Sequence, residues 1–121
     1  MATIKTFEEI KAWQKARMVT KAIYEISKIG EFRTDFELQK QMKRASVSMM
    51  ANIAEGHGRR TNKEFANHLN IARGSCHEVQ ALLYVALDLN YIGSDYFKKI
   101  YSDLAEISKM TLSFARYLRR N

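Results

Sequence analysis

The chain has 121 residues, 46% of them hydrophobic, with no proline and only five glycines. That length suits one compact domain with a real core, excludes a disordered tail, and argues against turn-rich sheet folds. A net charge of +7 and a pI near 9.6 fit an anionic partner such as nucleic acid or an acidic surface. The one cysteine, Cys76, excludes an intrachain disulfide and suits a reducing cytoplasm. No apolar run approaches the roughly 20 residues that cross a bilayer, and no signal-peptide core is visible. The expectation is a soluble cytoplasmic protein with no membrane partner.

Thr6-Phe7-Glu8-Glu9 reads as a capping box that opens the first helix. Ile10, Trp13, Ala16, Thr20, Ile23 and Ser27 follow at helical spacing, and Gly30 is the stop. Thr34 and Glu37 repeat the box before a second stripe of Leu38, Met42, Ala45, Met49 and Ile53, which ends at Gly56. Thr61 and Glu64 form a third box ahead of Phe65, Leu69, Ala72, Val79, Leu82 and Ala86. Gly93-Ser94-Asp95 opens the last helix, where Phe97, Ile100, Leu104, Ile107, Thr111, Phe114 and Leu118 make a bundle seam. Each helix is expected to hold roughly 20–28 residues. Short connections make neighbours antiparallel, so the fold class is all-α, an up-down four-helix bundle forming one domain over residues 1–121.

The run from Ala81 to Leu87 is apolar for about two turns, which covers every side of the helix. Of two readings for Leu83, Tyr84 and Leu87, the second is preferred. They are tolerated surface apolars, or they form a second buried face where subunits of a homo-oligomer meet.

Basic residues are unevenly distributed. Lys40, Lys43, Arg44, Arg59, Arg60, Lys63 and Arg73 lie in a stretch whose only acids are Glu55 and Glu64. Lys109, Arg116, Arg119 and Arg120 form a second cluster near the chain's end. Phosphate binding needs such cations on one surface, and antiparallel pairing gathers Arg59, Arg60 and Lys63 at one bundle end, beside the third helix's N-terminus. The competing reading is a merely solvated surface.

Hairpin geometry puts Arg44 near Gly74 and Ser75, Lys40 or Arg44 near Glu78, Glu55 near Lys63, and Asn52 near Ala66 and Asn67. Asn52, Glu55 and Glu78 therefore read as structural polar residues that hold two helices in register, with Gly74 and Ser75 permitting close approach. His57, His68 and His77 do not share a face as metal ligands, and no phosphate-binding glycine loop or nucleophile elbow is present. No catalytic residue, metal or cofactor is expected. Trp13 and the tyrosines can stack on bases, but most suit core or interface positions; Tyr101 and Tyr117 lie off the seam of the last helix and stay open candidates.

Gln41, Arg44-Ala45, Ser48, the run from Ala51 to Gly56, Arg59, Glu64-Phe65, Ile71-Ala72, Gly74-Ser75 and Glu78 carry a likeness to a known family. Trp13, Ala16, Tyr24 and Leu89-Asn90-Tyr91-Ile92 extend it over nearly the whole chain. The sequence resembles the bacterial four-helix-bundle proteins encoded within intervening sequences of 23S ribosomal RNA genes. Met50 departs from that pattern, which commonly has proline there, so a straighter second helix is expected. The resemblance implies an antiparallel bundle and a pentameric ring. A more distant likeness, to the accessory variability protein of diversity-generating retroelements, implies a basic barrel that binds nucleic acid and a reverse transcriptase.

Together these features predict a non-enzymatic, oligomeric nucleic-acid-binding protein that contacts RNA, or structured nucleic acid, mainly through phosphates. Lys40, Lys43, Arg44, Arg59, Arg60, Lys63 and Arg73 are the first candidates, with Arg116, Arg119 and Arg120 as a second patch. The alternative is an assembly or adaptor protein whose basic surface binds an acidic protein partner such as a reverse transcriptase.

Overall fold

The structure is a computed structural model that describes residues 4–121. Its long helices are α1 (Lys11–Ile26), α2 (Phe36–His57), α3 (Asn62–Asp88) and α4 (Ser94–Arg120), with short 3-10 helices at Phe7–Glu9 and Gly30–Thr34. Cross-contacts set the directions. The Cys76 thiol donates to Leu104 O, His77 meets Ser108, and Arg119 meets Asn67, so α3 and α4 are antiparallel. Ser48 with Ser75 and Asn52 with His68 do the same for α2 and α3. Thr20 donates to Ser46 O and Lys43 covers Tyr24, which pairs α1 with α2. Lys15 bridges to Asp103 and Glu106, and the Tyr96 hydroxyl donates to Ala22 O, closing α1 onto α4.

The apolar stripes face a common core. Ile10, Ala16, Ile23, Met42, Met49, Ile53, Leu69, Val79, Leu104 and Ile107 are all buried in it. Removing this area from water supplies the main driving force, about 1.5–3 kcal/mol for each large aliphatic side chain. Thr20 and Thr111 sit in the core because each hydroxyl donates to the carbonyl four residues back. The α2 helix runs unbroken through Met50.

Several expectations change. The Glu9 carboxylate does accept from the Lys5 and Thr6 amides, but it closes only the 3-10 turn, and α1 starts after extended Ile10. Ile10 turns into the core there, and Phe7 packs edge-on against Trp13 at 5.0 Å. Thr34 does not cap α2. A 3-10 turn absorbs it, its hydroxyl donating to Glu31 O, and Asp35 Oδ1 accepts from Leu38 N instead. Asp35 Oδ2 also accepts from the Tyr91 hydroxyl at 2.9 Å, which ties the α3–α4 connection to the start of α2 and pushes the phenol's pKa up. Leu83, one of the proposed subunit contacts, is fully buried in the chain's own core, because it lies on the same α3 face as Val79 and Ala86. Tyr84 is half exposed and Leu87 half-buried.

Close approach of α2 and α3 is at Gly56, not at Gly74. A Cβ on Gly56 would lie 2.8 Å from both His68 Cβ and Phe65 Cδ1, whereas one on Gly74 would meet nothing within 4 Å. Glycine at position 56 therefore sets how closely α2 and α3 approach. Gly56→Ala should destabilise the fold by about 1–3 kcal/mol, read as a lower urea midpoint, while Gly74→Ala should not lower it. Equal midpoints for the two variants would refute the close-crossing account.

Candidate nucleic-acid interface

The end of the bundle where α2 passes into α3 is built by a short turn. Gly58 N and Arg59 N donate to Glu55 O and Gly56 O, which satisfies two of the last carbonyls of α2 as residues 58–61 leave the helix. Thr61 Oγ1 then accepts from Glu64 N at 3.1 Å and caps α3, as its sequence signature predicts. Arg59, Arg60 and Lys63 are exposed around this turn.

Arg59 is aimed by a chain of polar side chains. Its Nε donates to His68 Nε2 at 3.1 Å, and His68 Nδ1 lies 3.1 Å from Asn52 Oδ1. Asn52 Nδ2 donates to Ser48 O at 2.9 Å and to Ser48 Oγ at 3.2 Å, and Ser48 Oγ meets Ser75 Oγ at 2.9 Å. Arginine has no acceptor, so His68 Nε2 must accept and Nδ1 carries the hydrogen toward Asn52. The remaining nitrogens of the Arg59 guanidinium stay available.

The second basic cluster reaches the same end. Arg119 Nη2 donates to Asn67 Oδ1 at 3.1 Å, and Asn62 Nδ2 lies 3.5 Å from Asn121 O. Arg119 and Arg120 therefore join Arg59, Arg60 and Lys63, with exposed Arg116 one turn behind. His57 Nε2 lies 3.2 Å from Ile4 O, which brings the N-terminal segment and exposed Lys5 to this end too. Among the described residues the ion pairs are those of Lys15 and Lys99 with Asp103 and Glu106. None of the ten candidate cations is in one.

Other candidates lie elsewhere. Lys40, Lys43 and Arg44 are about 25 Å from the turn along α2, at 1.5 Å per residue. The Lys43 ammonium sits over the Tyr24 ring at 4.9 Å and donates to Gln39 Oε1, so it is spent within the fold. Arg73 is half-buried on α3, its Nε without a partner, near Cys76. Cys76 itself is buried, and its thiol pKa is pushed up to about 12 by desolvation, so it stays protonated.

Of the structural polar residues, Asn52 does link the two helices, although its partner is His68 and not Ala66 or Asn67. Glu55 and Glu78 are exposed and make no ion pair or side-chain hydrogen bond among the described residues, so the expected pairs with Lys63 and Arg44 do not form. Holding two long, solvated side chains together gains little, typically about 0–1 kcal/mol. His68, weighed from its spacing only as a metal ligand, is the side chain that partners Asn52. Hairpin register with Asn52 was the available signal, one residue away from where it was applied.

The model of the 23S rRNA-intervening sequence proteins matches residues 8–113. The chain belongs to that family. Among solved structures it is similar to a crystal structure of a protein of unknown function from the S23 ribosomal protein family of Bacteroides thetaiotaomicron VPI-5482. That similarity has a TM-score of 0.80 at 25% identity and covers 87% of this chain and 95% of the other. No curated protein matches the sequence. For this intervening-sequence protein no helix among the described residues is long and apolar enough to cross a membrane. The described residues also contain no group of three or more His, Cys, Asp or Glu placed to hold a metal ion.

If the polar chain is a unit, Asn52→Ala and His68→Ala should not add. Each should lower stability by about 1 kcal/mol, and the double variant should fall short of the sum by about 0.5–1 kcal/mol in urea denaturation. Strict additivity would show that the two side chains act independently.

Proposed function

We propose that this family member is a non-enzymatic nucleic-acid-binding protein that grips phosphates with the α2–α3 end of its bundle. The convergence of Arg59, Arg60, Lys63, Arg119 and Arg120, free of carboxylate partners, carries the reading. The family description associates its members with 23S rRNA intervening sequences, which supports RNA as the first target to test. Arginines without bound carboxylates offer planar, always-charged donors suited to phosphate. Lys40, Arg44 and Arg73 are secondary contacts that an extended strand along α2 and α3 would reach.

A homo-oligomer accompanies this reading. Tyr84, Val85 and Leu89 are 50%, 41% and 48% exposed near the far end of α3, an apolar surface suited to a subunit contact. The resemblance to this family makes a pentamer the form to expect. Light scattering at micromolar concentration should give a multiple of the 14.1 kDa chain mass. A monomer mass removes this part of the proposal.

A second reading, an adaptor for an acidic protein partner, draws on a cavity of about 670 Å³ between the start of α1 and the last turns of α4. Lys11, Lys109 and one carboxylate, Glu9, line it around an apolar floor. The two readings separate on nucleic acid. In the first, protein purified without nuclease carries ultraviolet-absorbing material that high salt removes, and Arg59→Ala with Arg60→Ala weakens binding to all sequences alike. The double variant should also flatten the slope of log affinity against log salt by roughly 1.5–2. Unchanged affinity and slope would leave the adaptor reading in its place.

A further inference from the structure

Beside the arginines lies a cavity of about 290 Å³ between the N-terminal segment, the α2–α3 turn and the end of α4. Its inner wall is aromatic, with Phe65 and Phe114 edge to face at 5.0 Å. Tyr117, 37% exposed, lines both this cavity and the larger one beside it, and Arg59, Arg60 and Asn62 complete the polar part of the lining. Among the described residues no carboxylate lines it.

Tyr117 is unlike the other tyrosines. Tyr84 and Tyr101 pack with Phe97, Tyr91 stacks on Phe32 and bonds Asp35, Tyr96 bonds Ala22 O, and Tyr24 lies under Lys43. Among the described residues, Tyr117 has neither a ring partner nor a hydroxyl partner. An exposed, unpaired ring next to two guanidinium groups, Arg60 and Arg59 with its terminal nitrogens beyond the His68 bond, is what a nucleobase with its phosphate would need. The Asn62 amide is held only by a 3.5 Å contact to Asn121 O, so it has capacity left for a base edge.

We propose that this cavity takes one unpaired nucleotide of a single strand, with its base against Tyr117 and its phosphate on Arg59 and Arg60. A base held in a duplex keeps its faces stacked and cannot enter, so the surface prefers loops, bulges and single strands. This rests on the phosphate reading above and adds what that surface selects.

Fluorescence anisotropy tests it with a labelled single-stranded RNA and the same strand annealed to its complement. Tyr117→Ala, at an exposed position, should weaken single-strand binding about tenfold and leave duplex binding unchanged, while Tyr117→Phe keeps wild-type affinity. Circular dichroism melts confirm that both variants fold. If Tyr117→Ala has no effect, or affects both RNAs equally, while Arg59→Ala with Arg60→Ala weakens both, the nucleotide pocket is overturned and phosphate binding stands. If the arginine double variant also leaves both affinities unchanged, phosphate binding falls, and the pocket with it.

Discussion

The close crossing of α2 and α3 at Gly56 sets the spacing that the polar side chains between the two helices need. Without a Cβ at that position, Phe65 and His68 pack directly on the α2 backbone. That distance brings His68 within hydrogen-bond reach of Asn52, and Asn52 in turn satisfies Ser48. The polar side chains between the two helices are half-buried, so each needs a partner to offset its lost hydration. One continuous chain provides those partners from Ser75 to Arg59. Packing and polar satisfaction therefore fix the same register. The charged group at the end of that chain is held by the geometry of the core and not by a surface ion pair.

Topology does the second part. In an antiparallel bundle the start of α3 and the end of α4 share one end, as do the end of α2 and the N-terminal segment. Basic residues separated by about half the chain become neighbours. The positive end of the α3 dipole adds to them, whereas Arg119 and Arg120 offset the negative end of α4. Among the described residues the nearby acids make no ion pair with these cations. Glu64 Oε1 accepts from its cap residue Thr61, Glu9 holds the Lys5 and Thr6 amides, and Glu55 is exposed without a partner. The result is a concentrated positive surface at one end of the bundle, a more informative feature than the net charge alone.

Much of this was legible in the residues. Every stripe residue named for α1 and α2 is buried, because apolar spacing of three and four can have only one inward face. The Thr61 cap was readable because its box directly precedes an uninterrupted helix. Thr34 carries the same signature and fails, since a 3-10 turn uses its hydroxyl and leaves Asp35 one residue later as the better acceptor. Leu83 was misplaced for a related reason. In a run apolar on all sides, composition does not say which residue faces inward, and the helix phase set by Val79 and Ala86 decides. Ion pairs were the least legible, because Arg44, Glu55, Lys63 and Glu78 sit in water where their attraction is weak.

The helices, their order, the core stripes and the cationic character follow from the residues alone, since periodicity, capping chemistry and charge are local properties of the chain. Which cations stand together and which are spent follows from the packed fold. That outcome depends on the rotation and spacing of packed helices, and no local pattern encodes it. Lys43 is turned onto Tyr24, Arg73 is half-buried, and Arg59 and Arg119 reach the same end through His68 and Asn67, although all four are simply basic residues in the linear chain.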